Sequence, residues 1–344
     1  MIFLFIFSFQ YLYSDYPADL CTDVDTKKCA TKQIEFIAQE FGINFALQSH
    51  IQSTLPKIAM SEHCHETSHY LGTLSYKILK STSLAFSVPK YTLAFCFGAY
   101  IHGVTMQYLE SVVDQPLDPL IVYQNTCALL KNIPILHRMC AHGLGHGFLV
   151  YNHFDVPAAL AACMSIVLPK ACQGGVFMEN AMISLPEWHV HAKDHNHAYY
   201  KYGDAFFPCT LVDYKYRDVC YTTASIQTYN EEVLLLKKPL VTAIKNVFVS
   251  CKKAAQYQSD CLQGIGEVLG KITKWEPVSL QEACNQGATK TEQQACADGA
   301  FTERTITVMQ PLDSTVCSDF SGLYQNTCLQ HIQKELGQSS ALPT

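Results

Sequence analysis

Cys140-Ala-His142-Gly-Leu-Gly-His146-Gly147 lies near the middle of the chain, and its opening, a cysteine followed closely by glycine, returns elsewhere. It recurs as Cys96-Phe-Gly-Ala-Tyr, Cys172-Gln-Gly-Gly-Val, Cys261-Leu-Gln-Gly-Ile-Gly and Cys296-Ala-Asp-Gly-Ala. From Cys29 through Cys64, Cys96, Cys140, Cys172, Cys220, Cys261 and Cys296 to Cys328, the steps run from 32 to 48 residues. They average about 37 residues, a period that suits helical hairpins. A glycine at a fixed place in each unit lets neighbouring helices come close.

Helix-start signals support this reading. Pro134 and Pro169 sit where a first turn tolerates proline, and Ser259-Asp260 stand as caps ahead of Cys261. Cap-plus-proline signals at Asp118-Pro119, Asp155-Val-Pro157, Glu276-Pro277-Val-Ser279 and Gln310-Pro311-Leu-Asp313 open a preceding helix in each unit. Strand-like alternation is scarce, so the fold class is all-α, with one helical-repeat domain of about nine hairpins over residues 15–338 and a tail at 339–344.

The chain has sixteen cysteines among its 344 residues and no C-x-x-C. Seven cysteine pairs, 21/29, 127/140, 163/172, 209/220, 251/261, 284/296 and 317/328, lie 8 to 13 residues apart. The spacing predicts a disulfide for each, and this usage points to an oxidising compartment: secreted, periplasmic or cell-surface. Cys64 and Cys96 remain. Cys64, between two histidines, suits either a thiolate ligand or a bridge to Cys96, and the bridge is preferred because each leftover completes the other.

Period, cysteine pairing and small-residue positions between Cys21 and Leu336 resemble the disulfide-stapled Sel1-like and tetratricopeptide-like repeat proteins. The resemblance implies αα-hairpins, each with a bridge pinning its two helices, stacked into an α-solenoid whose concave face can receive a protein or peptide partner. It implies nothing about chemistry. The steps of 44 and 48 residues depart from a regular array. The second contains Trp188-His-Val-His-Ala-Lys-Asp-His-Asn-His197, expected as a His-rich loop insertion over 186–208.

Hydrophobic residues make up 49% of the chain and charged residues 16%, which fits an ordered, well-buried protein. The net charge is −6 with no Lys/Arg run, so nucleic acid is excluded as a partner. Residues 1–14 are apolar and aromatic, too short for a spanning helix of about 20 residues. They suit a signal peptide or an N-terminal anchor without a basic n-region.

Histidines carry the chemistry. His65 and His69 are four apart, as are His142 and His146, so each pair stacks two imidazoles on one helical face where both can reach one ion. Counted from each repeat cysteine, His65 and His69 fall at +1 and +5, His102 at +6, His142 and His146 at +2 and +6, and Glu179 at +7. Consecutive second helices therefore present them on one surface, leaving Leu71, Leu74, Ile78, Leu144 and Phe148 for packing. Helices pack about 8 to 10 Å apart, so the five histidines meet at one ion only if the array curls tightly; otherwise two ions flank His102. Zinc, iron and copper suit such a site equally. Glycines 103, 143, 145 and 147 read as clearing space beside the histidines. His50, His137, His153 and His331 read as structural.

His65-Glu66-Thr-Ser-His69 also resembles the H-E-x-x-H of zinc-dependent peptidases, which implies His65 and His69 as ligands and Glu66 as general base, with His102, Glu110 or Glu179 as third ligand. Ser75 stands where the extended metzincin pattern has a histidine, and that pattern has no use for His142 and His146. Three functions follow from the sequence: an extracytoplasmic metalloenzyme, hydrolase or oxidoreductase; a metal-binding protein without turnover; or an interaction solenoid.

Overall fold

The computed structural model describes residues 26–47, 61–113, 115–182, 198–201, 203–307 and 312–339. These residues are helical, and none of them forms a strand. The expected N-terminal signal or anchor, most of the His-rich insertion and most of the tail lie outside them. The helices are α1 (Thr26–Phe41), α2 (Ser61–Leu79), α3 (Thr82–Ala85), α4 (Lys90–Glu110), α5 (Pro119–Asn125), α6 (Pro134–Tyr151), α7 (Val156–Cys163) and α8 (Pro169–Met182). After these come α9 (Phe207–Leu211), α10 (Arg217–Asn230), α11 (Leu240–Cys251), α12 (Gln258–Thr273), α13 (Pro277–Cys284), α14 (Lys290–Thr307), α15 (Ser314–Ser318) and α16 (Gly322–Ser339). From α2 onward, long helices alternate with short ones.

Most of the start signals act as expected. Asp118, Asp155, Glu276 and Asp313 each accept hydrogen bonds from backbone N–H groups of the first turn, at α5, α7, α13 and α15. Pro134 and Pro169 open α6 and α8. Ser259 and Asp260 do not cap. Helix α12 begins one residue earlier, at Gln258, so both sit within its first turn and the cap position falls to Tyr257.

Six disulfides join a short element to the next long helix: Cys127–Cys140, Cys163–Cys172, Cys209–Cys220, Cys251–Cys261, Cys284–Cys296 and Cys317–Cys328. Their Cα–Cα distances of 5.3 to 5.7 Å are those of unforced bridges. Cys96 is also disulfide-bonded. The side chains of Cys21, Cys29 and Cys64 lie outside the described residues. Six bridges on this scale indicate an oxidising environment outside the cytoplasm. No helix among the described residues is long and apolar enough to cross a membrane.

The long helices pack in chain order, α2 on α4, α4 on α6, and so on to α14 on α16, and α14 comes back to touch both α4 and α6. Glycine sets the spacing. A Cβ on Gly72 of α2 would overlap the Tyr100 carbonyl of α4, and one on Gly103 of α4 would overlap the His69 carbonyl of α2. The same reciprocal contact joins α6 to α8, through Gly145 against Cys172 O and Gly175 against His142 O. It joins α12 to α14 through Gly266 against Cys296 O and Gly299 against Gln263 O.

Gly103 and Gly145 therefore admit a neighbouring backbone instead of clearing space beside histidines. Gly147 faces the Leu109 side chain, and Gly143 alone of the four meets a site histidine's side chain, that of His102, together with Thr105. Leu71, Leu74, Leu144 and Phe148 are buried between helices as expected, whereas Ile78, in the last turn of α2, is 48% exposed.

Two adjacent glycines test this account. Gly175→Ala should destabilise the protein by about 1 to 3 kcal/mol, the usual cost of overpacking. Gly174→Ala, whose Cβ would meet nothing closer than 3.5 Å, should be neutral or slightly stabilising, since alanine favours a helix by about 1 kcal/mol. Thermal melts of both variants check this, and equal effects would remove glycine contact as the determinant of helix spacing.

Candidate functional site

The curl of the long helices brings the five histidines together. His65 and His69 come from α2, His102 from α4, and His142 and His146 from α6, with Glu179 on α8. His102 is central: its ring centre lies 5.8 Å from His65, 6.5 Å from His69, 5.2 Å from His142 and 5.4 Å from His146. His142 and His146 are 4.9 Å apart. The shared face expected from the cysteine offsets is therefore present.

Several rings are anchored by one nitrogen. His65 donates from Nδ1 to the Cys96 carbonyl at 3.0 Å, and His146 donates from Nδ1 to Glu179 Oε2 at 2.8 Å. The His142 ring is tied to the Ala171 carbonyl. In a neutral imidazole, donation from one nitrogen leaves a lone pair on the other. His69 points Nε2 at Met106 Sδ, 3.2 Å away. His102 Nε2 is buried and has no hydrogen-bond partner among the described residues.

Local backbone geometry serves two of these contacts. Cys96, Phe97 and Gly98 have φ of +50°, +59° and +72°, a left-handed stretch within α4. Two consecutive non-glycine residues there cost energy of order 1 kcal/mol each. This turn presents the Cys96 carbonyl to His65 and places the Phe97 ring 5.1 Å beneath Lys271 Nζ.

Burial holds three of the rings, His65, His102 and His142, neutral. It drives His65 down to about 4 and His102 and His142 well below the ordinary histidine range, and neighbouring histidines add to the effect.

His65, His102 and His142 of the cluster form one wall of a cavity of about 370 Å³. Sequence reasoning missed the opposite wall: Glu267 and Lys271 of α12 with Glu303 of α14. Lys271 Nζ lies 2.6 Å from Glu303 Oε1. Burial opposes the Lys271 charge, but Glu303 outweighs it and the lysine pKa is raised. Glu267 is pushed upward by desolvation and then by Glu303. Arg138, one turn before His142 on α6, lines the same cavity, and Lys170, Asp218 and Asp260 complete its charged groups. Glu267 and Lys271 are an i,i+4 pair, which in sequence reads as an ordinary solvated helix pair.

Other sequence-predicted residues fall as follows. The Glu66 side chain lies outside the described residues, so only its place on α2 is given. Glu110 is exposed at the C-terminal end of α4, two turns beyond His102. Glu179 is buried, with His146 on its carboxylate, and so orients a histidine. His137 is bonded to Tyr123 on α5, and His331 lies 3.5 Å from Asp298, both away from the cluster. His50 and the four histidines of the 188–197 segment lie outside the described residues.

As the side chains stand, no three His, Cys, Asp or Glu among the described residues converge to hold a metal ion. Comparison with protein-family models, with curated proteins and with solved structures gives no match.

The lowered histidine pKa values fix the sign of a pH dependence. A histidine unfolded titrates near 6.5; folded, His65 takes a proton only near 4. The unfolded chain therefore binds more protons between these values, so the stability present above pH 6.5 is lost as pH falls toward 4. In chelator-treated protein the melting temperature should drop by several degrees over this window, and His102→Gln should flatten the drop. A flat profile in the unsubstituted protein would contradict a buried, neutral cluster.

Proposed function

We propose that the chain is a metal-dependent enzyme of an oxidising, extracytoplasmic compartment, with one transition-metal ion held by His102, His142 and His146 at the wall of the cavity. One observation carries the reading. The three ring centres form a triangle with sides of 4.9, 5.2 and 5.4 Å. Imidazole nitrogen binds zinc at about 2.0 to 2.1 Å, which puts a ligating ring's centre about 3.2 Å from the ion and two such rings about 5.2 Å apart at a tetrahedral angle. The triangle has those dimensions.

Second contacts support it. A carboxylate on His146 and a backbone carbonyl on His142 are the outer partners that ligating histidines have, fixing tautomer and orientation. Deep suppression of protonation keeps lone pairs available at neutral pH. His102 Nε2, buried without a partner, is otherwise a cost with no compensation.

Three protein ligands leave a coordination position open toward the cavity, the arrangement of catalytic rather than structural sites. Its size lies in the range of small-molecule pockets, and Glu267, its pKa raised, supplies a proton-bearing group across from the histidines. Zinc, iron and copper remain equally suited. The histidines of H-E-x-x-H take a flanking place: His65 and His69 each meet His102 at a longer distance than His142 and His146 do. The fold in this reading is a helical-repeat array curled tightly enough for α14 to reach α4 and α6.

Metal analysis of protein exported to an oxidising compartment and purified without a His-tag should find about one ion per chain. His142→Ala and His146→Ala should each abolish it, while His137→Ala and His331→Ala should retain it. Glu179→Gln should weaken binding by about 10 to 100-fold, as for other outer partners. Full occupancy in both His142→Ala and His146→Ala would overturn the assignment.

A further inference from the structure

The charges of the cavity are unequally matched. Lys170 Nζ is 2.5 Å from Asp218 Oδ2 and Lys271 Nζ is 2.6 Å from Glu303 Oε1, so both lysines are paired. Arg138, half-buried in the same cavity, makes no hydrogen bond or ion pair among the described residues. It stands on the face of α6 that carries His142 and His146, one and two helical turns beyond it. It is close enough to His142 to oppose that ring's protonation, and close enough to Glu267 across the cavity to oppose the rise of that carboxyl's pKa.

A guanidinium presents paired N–H donors in a plane that fits a carboxylate with two parallel hydrogen bonds. Water is a weaker partner in a site walled by Phe97, Met139, Met178 and Ile226. Asp218, Asp260, Glu267 and Glu303 line the same space, and a group carrying two negative charges would meet their repulsion. A single carboxylate suits Arg138, the one of the three cations without an ion-pair partner among the described residues.

We propose that the cavity binds a small molecule bearing one carboxylate, seated on Arg138 so that the remainder of the molecule runs along α6 toward His142, His146 and His102. The proposal rests on the metal reading for the fate of the bound molecule, but the seat itself needs no metal. It assigns Arg138 as the residue that selects substrate, and places the bond to be changed one to two helical turns, about 5 to 11 Å, from the carboxylate.

The test uses the full chain in chelator-treated form and compares acids with their amides: acetate with acetamide, butyrate with butyramide, benzoate with benzamide, and inorganic phosphate alongside. Calorimetry or ligand-observed NMR should show at least one acid binding 10-fold or more tighter than its amide and tighter than phosphate. R138Q should lose that preference, with R138K keeping part of it, and circular dichroism and thermal melts verify that each is folded. Equal binding of every acid and amide, tighter binding of phosphate, or an unchanged preference in folded R138Q would each overturn the proposal. Should R138Q fail to fold, the acid–amide comparison on the unsubstituted protein and R138K decides it. Metal content measured on the same preparations before chelator treatment separates the two readings: carboxylate binding without metal uptake would sink the metal assignment alone, and metal uptake without carboxylate preference would sink this one alone.

Discussion

Backbone-to-backbone contact through glycine governs how far apart the long helices stand, and the chemistry of the site depends on that distance. With Gly145 against the Cys172 carbonyl and Gly175 against the His142 carbonyl, α6 and α8 approach more closely than side chains of ordinary size permit. Only then does the His142 ring reach the Ala171 carbonyl and His146 reach Glu179. The disulfide Cys163–Cys172 ties α7 to the same segment of α8, so the helix that orients two histidines is covalently tied near its start. Glycine in a helix interior costs about 1 kcal/mol relative to alanine, and cross-linking in an oxidising compartment offsets such costs by restricting the unfolded chain.

The parts of this arrangement that depend on local chemistry were legible in the sequence. Cysteine spacing gave the six described bridges because each closes a loop short enough that its partners are neighbours in any helical hairpin. Asp118, Asp155, Glu276 and Asp313 announced their helices because a side-chain oxygen beside unsatisfied N–H groups is a local signal. The offsets of the five histidines from their cysteines pointed to one face, and the helices bring the rings together there.

What depended on the sum of many small rotations was not legible. The return of α14 to α4 and α6 follows from the curvature accumulated over five interfaces, and no single residue encodes it. For that reason Glu267, Lys271 and Glu303 read as surface residues. The glycines mislead for a related reason: Gly103 and Gly145 lie beside histidines in sequence, but Gly103 faces the preceding long helix, α2, and Gly145 the following one, α8. Arg138 did carry a signal, its place four residues before His142 and eight before His146. Periodicity alone cannot tell an inward arginine from a solvated one.

The two walls of the cavity divide the electrostatic work. On the histidine wall desolvation removes protons, so the rings stay neutral and offer lone pairs. Opposite them, Lys271 keeps its charge only because Glu303 adjoins it, and the proximity of Glu303 in turn helps keep a proton on Glu267. A carboxylate, a cation and a protonated carboxyl thus stabilise one another: loss of Glu303 would remove the second cause of the raised Glu267 pKa, leaving desolvation, and would make Glu267 the nearest counter-charge for Lys271. The strained turn at Cys96–Phe97–Gly98 joins the two systems, with its carbonyl on His65 and its aromatic ring under Lys271. Strain of this kind persists where surrounding contacts over-determine it. Here those contacts lead to both walls, through Lys271 over the Phe97 ring on one side and the His65 hydrogen bond to the Cys96 carbonyl on the other.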